Sequence, residues 1–405
     1  MALAQQESNK YKVAIFDADV IGRKKHRFPN LASEKISGYW KENGADVKLF
    51  TKFPSKNKWY ELQSEYSQIY ISKVFTDTPI PNYIEGTNNV HMGGTGFYFD
   101  KAPNLPDEIE HHMPDYSLYN DWIEHSTKAA LKNAKDTGKP FDELKHRVQF
   151  KMYTDYSIGF ITRGCFRKCP FCVNQKFDHV FYHSPVKEFY DQSRKKICLL
   201  DDNFFGYPQW EDAFDEIITT GKKFVFKQGL DERLLTQGKA KMLFNANYDG
   251  DYIFAFDNVA DYELIKGKLE IISKCNTKKK NVKFYVLVGF ESTDATDIEN
   301  AFKRIELLFR YDCFPYIMRY MDKDDAPWKR SKYKFLYTTI ARWCNQPNFV
   351  KKMTFREFCV ANQRFHKTAG TYCAAMRSML DFEKEYPEIA GRYFDMRFGE
   401  ENGKQ

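Results

Sequence analysis

The sequence predicts an α/β protein: a doubly wound, Rossmann-like domain, then a partial (β/α)6 barrel of TIM type, then a helical C-terminal region. Two observations predict it. Strand-like apolar runs alternate with helix-length segments over the first hundred residues, and six further runs recur between residues 157 and 320, too many for the first sheet to absorb. With 405 residues and 42% hydrophobic side chains, the chain has the length and core material for two or three domains.

Taken in order, "YKVAIFDAD" from Tyr11 reads as a strand, "NLASEKISGYWKENG" from Asn30 as a helix with apolar residues at helical spacing, and "ADVKLF" and "QIYISKVF" as the next two strands. In such a sheet ligands sit beyond the carboxyl ends of the strands. Two polar turns fall there, Asp17 to Asn30 and "HMGGTGF" from His91. The proline- and acid-rich text from about residue 100 to 122 predicts an extended connector, followed by a charged helical segment. The second series is "SIGFIT", "KICLLDD", "KFVFKQG", "DYIFAFD", "VKFYVLVGF" and "CFPYIMRY", and after Ala326 the text turns helical and aromatic. The expected boundaries are 10–122, a charged connector 123–150, the barrel 151–325, and the helical region 326–405.

The formal charge of +7 comes from lysines scattered among acids, which describes a solvated surface better than a nucleic-acid footprint. Trp328, Tyr333 and Trp343 among basic residues offer stacking platforms, although core packing is the commoner use of such rings. No run approaches the roughly 18 apolar residues of a membrane span, and the first residues lack the apolar centre of a secretory signal, so a cytoplasmic protein without membrane contact is expected. Nine cysteines, three of them within eight positions, fit metal binding in a reducing compartment better than a disulfide framework.

Those three, Cys165, Cys169 and Cys172 in "RGCFRKCPFC", have the spacing C-x3-C-x2-C and follow directly on a predicted strand. Arg163, Arg167 and Lys168 make the loop electropositive, which favours thiolates. Structural zinc would complete a tetrahedron with another Cys or His, for which His179 and His183 are the local candidates. A 4Fe-4S cubane would instead be left with one iron open to a small molecule.

C-x3-C-x2-C after a first barrel strand, with an aromatic residue (Phe171) before the last cysteine, resembles the signature of radical S-adenosylmethionine enzymes. "TRGC" resembles the lead-in of the branch with an N-terminal cobalamin-binding-like domain. The resemblance implies a 4Fe-4S cluster held by the three cysteines and S-adenosylmethionine chelated at the open iron. Electron transfer then yields a 5'-deoxyadenosyl radical that abstracts hydrogen from substrate. An electron donor such as flavodoxin or ferredoxin is implied as partner. "LLDDNFFG" is similar to the acidic second-strand motif, which carries over Asp202 and Asn203. "FKQGLDERL" makes Gln228 a cavity residue, and "FAFDN" carries over Asp257 and Asn258 as cofactor contacts. "VLVGFEST" is similar to a fifth-strand pattern and brings Glu291 to the same cavity, with Phe290 and Ser292 departing from that pattern. Taken singly, "DDNFFG" and "FAFDN" also read as plain turns.

The first 120 residues match the branch in outline only. Where a D-x-H-x-x-G loop would offer cobalt a histidine, this chain has Asp17, Asp19 and, nine residues after Asp17, His26. "GGTGF" resembles the glycine turn that approaches a corrin's nucleotide tail; it lacks the lysine and following helix of a phosphate loop. Cobalamin is therefore an optional third cofactor. His111 and His112 lie in the acidic connector, and Cys344, Cys359 and Cys373 read as packing cysteines rather than ligands of an auxiliary cluster. The implied function is hydrogen abstraction from an unidentified substrate, with cobalamin-dependent methyl transfer as the nearer alternative and a non-enzymatic zinc- or nucleic-acid-binding module as the remoter one.

Overall fold

Strand β1 (Lys12–Asp17) sends alternate side chains into two different cores. Val13 and Ile15 pack with Ile36, Tyr119, Ile123, Phe150 and Tyr153, while Ala14 and Phe16 pack with Trp59, Leu62, Ile69 and Ile71. A strand buried on both faces reads as a continuous apolar run, and "KVAIFD" does. With β2 (Asp46–Phe50), β3 (Gln68–Ser72) and β4 (Val90–Gly93) it forms a parallel sheet of order β2-β1-β3-β4. The computed structural model describes residues 11–400 apart from 323, 324, 366, 367 and 369. The chain divides into two units: one runs up to Lys168 and adds Cys172–Asp201 and Glu211–Phe224; the other holds Cys169–Phe171, Asp202–Trp210 and the chain from Val225.

In the first unit, helix Leu31–Glu42 starts where the Asn30 side chain accepts the Ser33 N–H. The expected connector is more tightly held than its composition suggests. Its Lys35–Glu110 pair at 2.8 Å is largely buried, and the Tyr116 hydroxyl accepts the Ile158 N–H at 2.7 Å and donates to the Phe189 carbonyl at 2.6 Å. The charged segment is helix Asn120–Asp136, and Ile123 buries its apolar stripe in the β1 core.

Each of the six expected strands of the second series is present. "SIGFIT" breaks into β5 (Tyr156–Gly159) and β6 (Thr162–Arg163), because the buried Asp201 carboxylate takes the Thr162 N–H at 2.6 Å and its hydroxyl at 2.7 Å, turning the chain away from the ladder. β6 pairs antiparallel with β7 (Phe181–Tyr182). β5 pairs parallel with β8 (Lys196–Leu199), and β9 (Lys223–Phe226) lies beyond β8 in the same sheet. In the second unit β10 (Tyr252–Ala255), β11 (Val282–Val288) and β12 (Phe314–Arg319) form a parallel sheet. Helix Ala295–Arg310 follows β11, and helices from Lys334 to Tyr393 complete the unit. Among the described residues no helix is long and apolar enough to cross a membrane.

At the carboxyl end of β1, Asp17 caps the next turn through the Asp19 and Val20 N–H groups and accepts the Tyr119 hydroxyl at 2.7 Å. Burial raises its carboxyl from 3.8 to about 7, with those hydrogen bonds opposing. The fold thus retains a proton that the unfolded chain releases near pH 4. Its stabilising contribution is full below that pH and lost as pH rises through 7, by up to roughly 4 kcal/mol. Glu34, also buried, acts with the same sign. Unfolding midpoints recorded from pH 4 to 8 should therefore fall across this window, less steeply in Asp17→Asn; identical slopes for the two proteins would refute the assignment.

Candidate functional site

The cysteine loop, residues 164–180, is closed at its base by the β6–β7 ladder, which pairs Thr162 with Tyr182 and Arg163 with Phe181. Its two sides meet at Gly164: at φ +91°, a Cβ there would stand 2.2 Å from the His179 carbonyl oxygen. Lys168, between the first two cysteines, takes a left-handed φ of 47°, and its ammonium reaches across the loop to the Gln175 carbonyl at 2.6 Å. Cys165, Cys169 and Cys172 are all partly exposed, and no cysteine is in a disulfide. The Arg167 N–H points at the Cys165 sulfur (3.5 Å) and the Asn174 N–H at the Cys172 sulfur (3.4 Å), so the backbone two residues on donates to each. Such donors stabilise sulfur bearing negative charge. Cys169 belongs to the second unit, where the Arg233 guanidinium is drawn to it.

This donor set fits an iron-sulfur cluster better than zinc. His183 is engaged with Glu110 at 3.4 Å and stacks on His111, while exposed His179 pairs with Asp178. His111 itself pairs with Glu188 at 2.8 Å, and His112 with Glu42. Burial opposes it, but the His183 hydrogen bond and Lys35 hold the Glu110 carboxyl down to about 2, so the histidine's partner stays ionised. Among the described residues, no group of three or more His, Cys, Asp or Glu side chains is arranged around a single ion. A cubane does not ask for that, because its thiolates bind different irons.

In the second unit the remaining residues expected at the site fall into two linked groups. Asn203 is buried and donates to Asp231 at 3.3 Å; Asp231 in turn accepts the Arg233 Nε at 2.8 Å. Burial opposes Arg233's charge, but Asp231, Glu232 and Cys169 hold its pKa up, and Arg233 in turn favours the ionised form of Asp257. The second group surrounds the ends of β10 and β11. Asn258 donates to Glu291 at 2.9 Å, and the Phe171 ring meets Phe290 edge-on, 5.5 Å between centroids. Asp257 is raised by burial to about 6, against the pull of Arg304. Gln228 and Glu291 are exposed, and Asp202 is half-buried.

Sequence reasoning missed the groups that hold these loops. Arg304, 2% exposed, donates to the Phe256 and Asp257 carbonyls at 3.0 and 2.7 Å. Glu232, raised by burial to about 8, accepts the Ala255 N–H at 3.0 Å. Asp297 accepts the Gly289 N–H at 2.8 Å. The only trace of them in the sequence is a charged residue inside apolar-periodic text, as with Arg304 in "AFKRIELLF".

At the ends of β1, β3 and β4 the chain closes on itself. Asp19, in the position where a cobalt-binding histidine would stand, is buried and accepts the Val74 N–H at 2.7 Å and the Thr78 hydroxyl. His26 is half-buried edge-on to Phe75. The Gly94 turn packs on the protein's own Lys73, whose carbonyl oxygen lies 2.2 Å from where a Cβ would be. The D-x-H position is thus taken by a carboxylate bonded to the protein's own backbone and hydroxyl, and His26 is the histidine of this loop. In the C-terminal helices, burial holds the Cys344 thiol well up and pushes Cys359 to about 12, and Cys373 caps a helix by accepting the Met376 N–H. These are packing and capping roles.

No protein-family profile matches the sequence, and no curated protein matches it. Among solved structures the chain is similar to a radical S-adenosylmethionine methyltransferase, TsrM from Kitasatospora setae, solved with cobalamin and a 4Fe-4S cluster bound. The identity is 10% and the TM-score 0.45, over 76% of this chain and 74% of that one. It is also similar to the cobalamin-dependent S-adenosylmethionine radical enzyme OxsB, at 14% identity and TM-score 0.41, over 96% of this chain and 64% of that one. The chain thus spans a little under two thirds of the length of OxsB.

Replacing Arg304 by Met leaves two buried carbonyls and the Asp257 and Asp297 carboxylates without its donors and charge. We expect urea unfolding to show a loss of about 3 kcal/mol, only partly restored by Lys, which cannot reproduce the planar fork. A loss below roughly 1 kcal/mol would show that the guanidinium does not hold the ends of these strands.

Proposed function

We propose that the chain is a radical S-adenosylmethionine enzyme that holds one 4Fe-4S cluster through Cys165, Cys169 and Cys172 and acts on a hydrogen of an unidentified substrate. The observation that carries this reading is the loop itself: three partly exposed cysteines at C-x3-C-x2-C spacing, two of them receiving backbone N–H groups at the sulfur. When bound, the cluster supplies the electron that cleaves S-adenosylmethionine and so makes the hydrogen-abstracting radical. The protein's own part is positional. Arg233, whose charge Asp231, Glu232 and Cys169 favour, offers positive charge in the same unit as Cys169, and Phe171 with Phe290 gives the cofactor an aromatic wall. Asp202, Asn203, Asp257 and Asn258 offer polar contacts, and Gln228 and Glu291 remain exposed for the substrate side. The reading takes β5 and β8 to β12 as the strands of the partial (β/α)6 barrel and the β2-β1-β3-β4 sheet as the Rossmann-like, cobalamin-binding-like domain. A reductant of the flavodoxin or ferredoxin class is the implied partner.

Anaerobic purification should give roughly four irons and four sulfides per chain, and reduction in the presence of S-adenosylmethionine should release 5'-deoxyadenosine. Cys169→Ser should abolish the brown chromophore, whereas His179→Ala with His183→Ala should leave the iron content unchanged. One zinc and no iron would overturn the reading in favour of a zinc module.

Cobalamin-dependent methyl transfer is the second reading, supported by the strand order β2-β1-β3-β4, whose reversal between β1 and β3 is the kind of point at which open parallel sheets take ligands. Retention of a corrin spectrum after gel filtration with added cobalamin would support it. A colourless eluate would leave simple hydrogen abstraction.

A further inference from the structure

The turn after β11, residues 289–294, is anchored from a distance in sequence. Gly289 has φ +72°, and a Cβ there would stand 2.9 Å from the Cβ of Trp328, whose indole lies over the position. The Ser331 hydroxyl, held in turn by the Tyr333 N–H at 3.0 Å, donates to the Thr293 carbonyl at 2.5 Å. The buried Tyr337 donates at 2.7 Å to Asp297 Oδ2, the same oxygen that accepts the Gly289 N–H at 2.8 Å. One stretch of ten residues thus touches the turn or its anchor at three points, through packing, through a carbonyl and through a shared carboxylate. Between those points stand Phe290, packed against Phe171 and Tyr320, and Glu291, bonded to Asn258.

Resting on the radical-enzyme reading, we infer that Trp328, Ser331 and Tyr337 are positioning residues: they clamp the Gly289–Asp294 turn so that Phe290, against Phe171, is preset for S-adenosylmethionine, with Glu291 beside it on the substrate side. The physical reason is entropic. A turn that opens on a left-handed glycine and carries exposed Glu291 samples many conformations when unanchored, and binding then has to order it. Asp297 alone cannot do this, since it fixes only the Gly289 end. Asp294 ties the far end to the helix that follows through the Thr296 and Asp297 N–H groups, Ser331 holds the Thr293 carbonyl between the two ends, and the indole fills the space that the absent side chain leaves. The C-terminal helical region is on this view a constructional part of the cofactor site.

The test uses Ser331→Ala and Tyr337→Phe, singly and together, with Ser331→Thr as the variant that keeps the hydroxyl. Hydrogen exchange on the protein without added S-adenosylmethionine should be faster at residues 289–294, by about tenfold in the double variant, and unchanged in the β1–β4 sheet. In the cluster-loaded protein, KM for S-adenosylmethionine should rise about three- to tenfold per hydroxyl removed, while 5'-deoxyadenosine release at saturation stays near the wild-type rate and Ser331→Thr returns KM to normal. Unaltered exchange in the turn overturns the clamp, and faster exchange with unaltered KM overturns its link to the cofactor. If the double variant does not fold, the two single variants decide both points by the same readouts. A wild-type protein without iron would sink the radical-enzyme reading separately, and the exchange result would still decide whether the clamp exists.

Discussion

A parallel strand that stops short of its neighbours leaves backbone N–H and C=O groups with nothing to bond, and in this protein buried charged side chains supply the missing partners. Asp17 and Asp19 do so at the ends of β1 and β3, Asp201 after β5, Glu232 at β10 and Asp297 after β11, while Arg304 serves the carbonyls after β10. Each meets a backbone group where the chain leaves a sheet and forms a loop, Asp297 and Arg304 doing so from the helix that follows β11. The candidate cofactor residues sit on the loops so formed, which makes the geometry of the site a product of these bonds. Burying a carboxylate is unfavourable, and the raised pKa values of Asp17 and Glu232 record that penalty. It is tolerated because an unpaired buried backbone group would cost about 1–3 kcal/mol of its own.

Two of these groups join elements that no strand ladder joins. β10 begins a new sheet, yet the chain after β9 is tied to it by the Leu230 N–H to the Ile253 carbonyl at 2.9 Å and by Glu232 to the Ala255 N–H. Asp201 acts similarly between the end of β8 and the start of the cysteine loop. The loop's base is thereby fixed by a carboxylate one residue from Asp202, the acid that the motif draws attention to. Neighbouring acids in "LLDDNFFG" thus stand in unlike surroundings, the first buried and bonded to backbone, the second half-buried.

The strands were legible in the sequence because each is a short apolar run with turn residues at its end, a pattern that local chemistry writes directly. The three cysteines were legible for the same reason: their spacing lies within one loop. The helix Asn120–Asp136 was legible as a charged helical segment, but its tie to the β1 core through Trp122 and Ile123 was not, because charged residues outnumber them. Tyr116 and Tyr119 were invisible as anchors because a tyrosine in acidic text gives no sign that its hydroxyl will reach residues 42 or 102 positions away. Arg304 and Asp297 share that difficulty. Their meaning lies in which backbone group they meet, and long-range pairing is not encoded in any local pattern.

At the closed end of the N-terminal sheet, the size of the closure and the chemistry of its residues bear on different questions. Lys73, Val74 and the Gly93–Gly96 turn are joined by bonds from the Lys73 N–H to Gly93, the Gly96 N–H to Lys73 and the Thr95 hydroxyl to Val74. Three such bonds amount to roughly 3 kcal/mol, which a large cofactor offsets by burying about 120 Å² of apolar surface. The substitution at Asp19 is different in kind. A buried carboxylate bonded to Val74 and Thr78 offers no imidazole nitrogen at that position, and the loop's one histidine, His26, lies half-buried against Phe75.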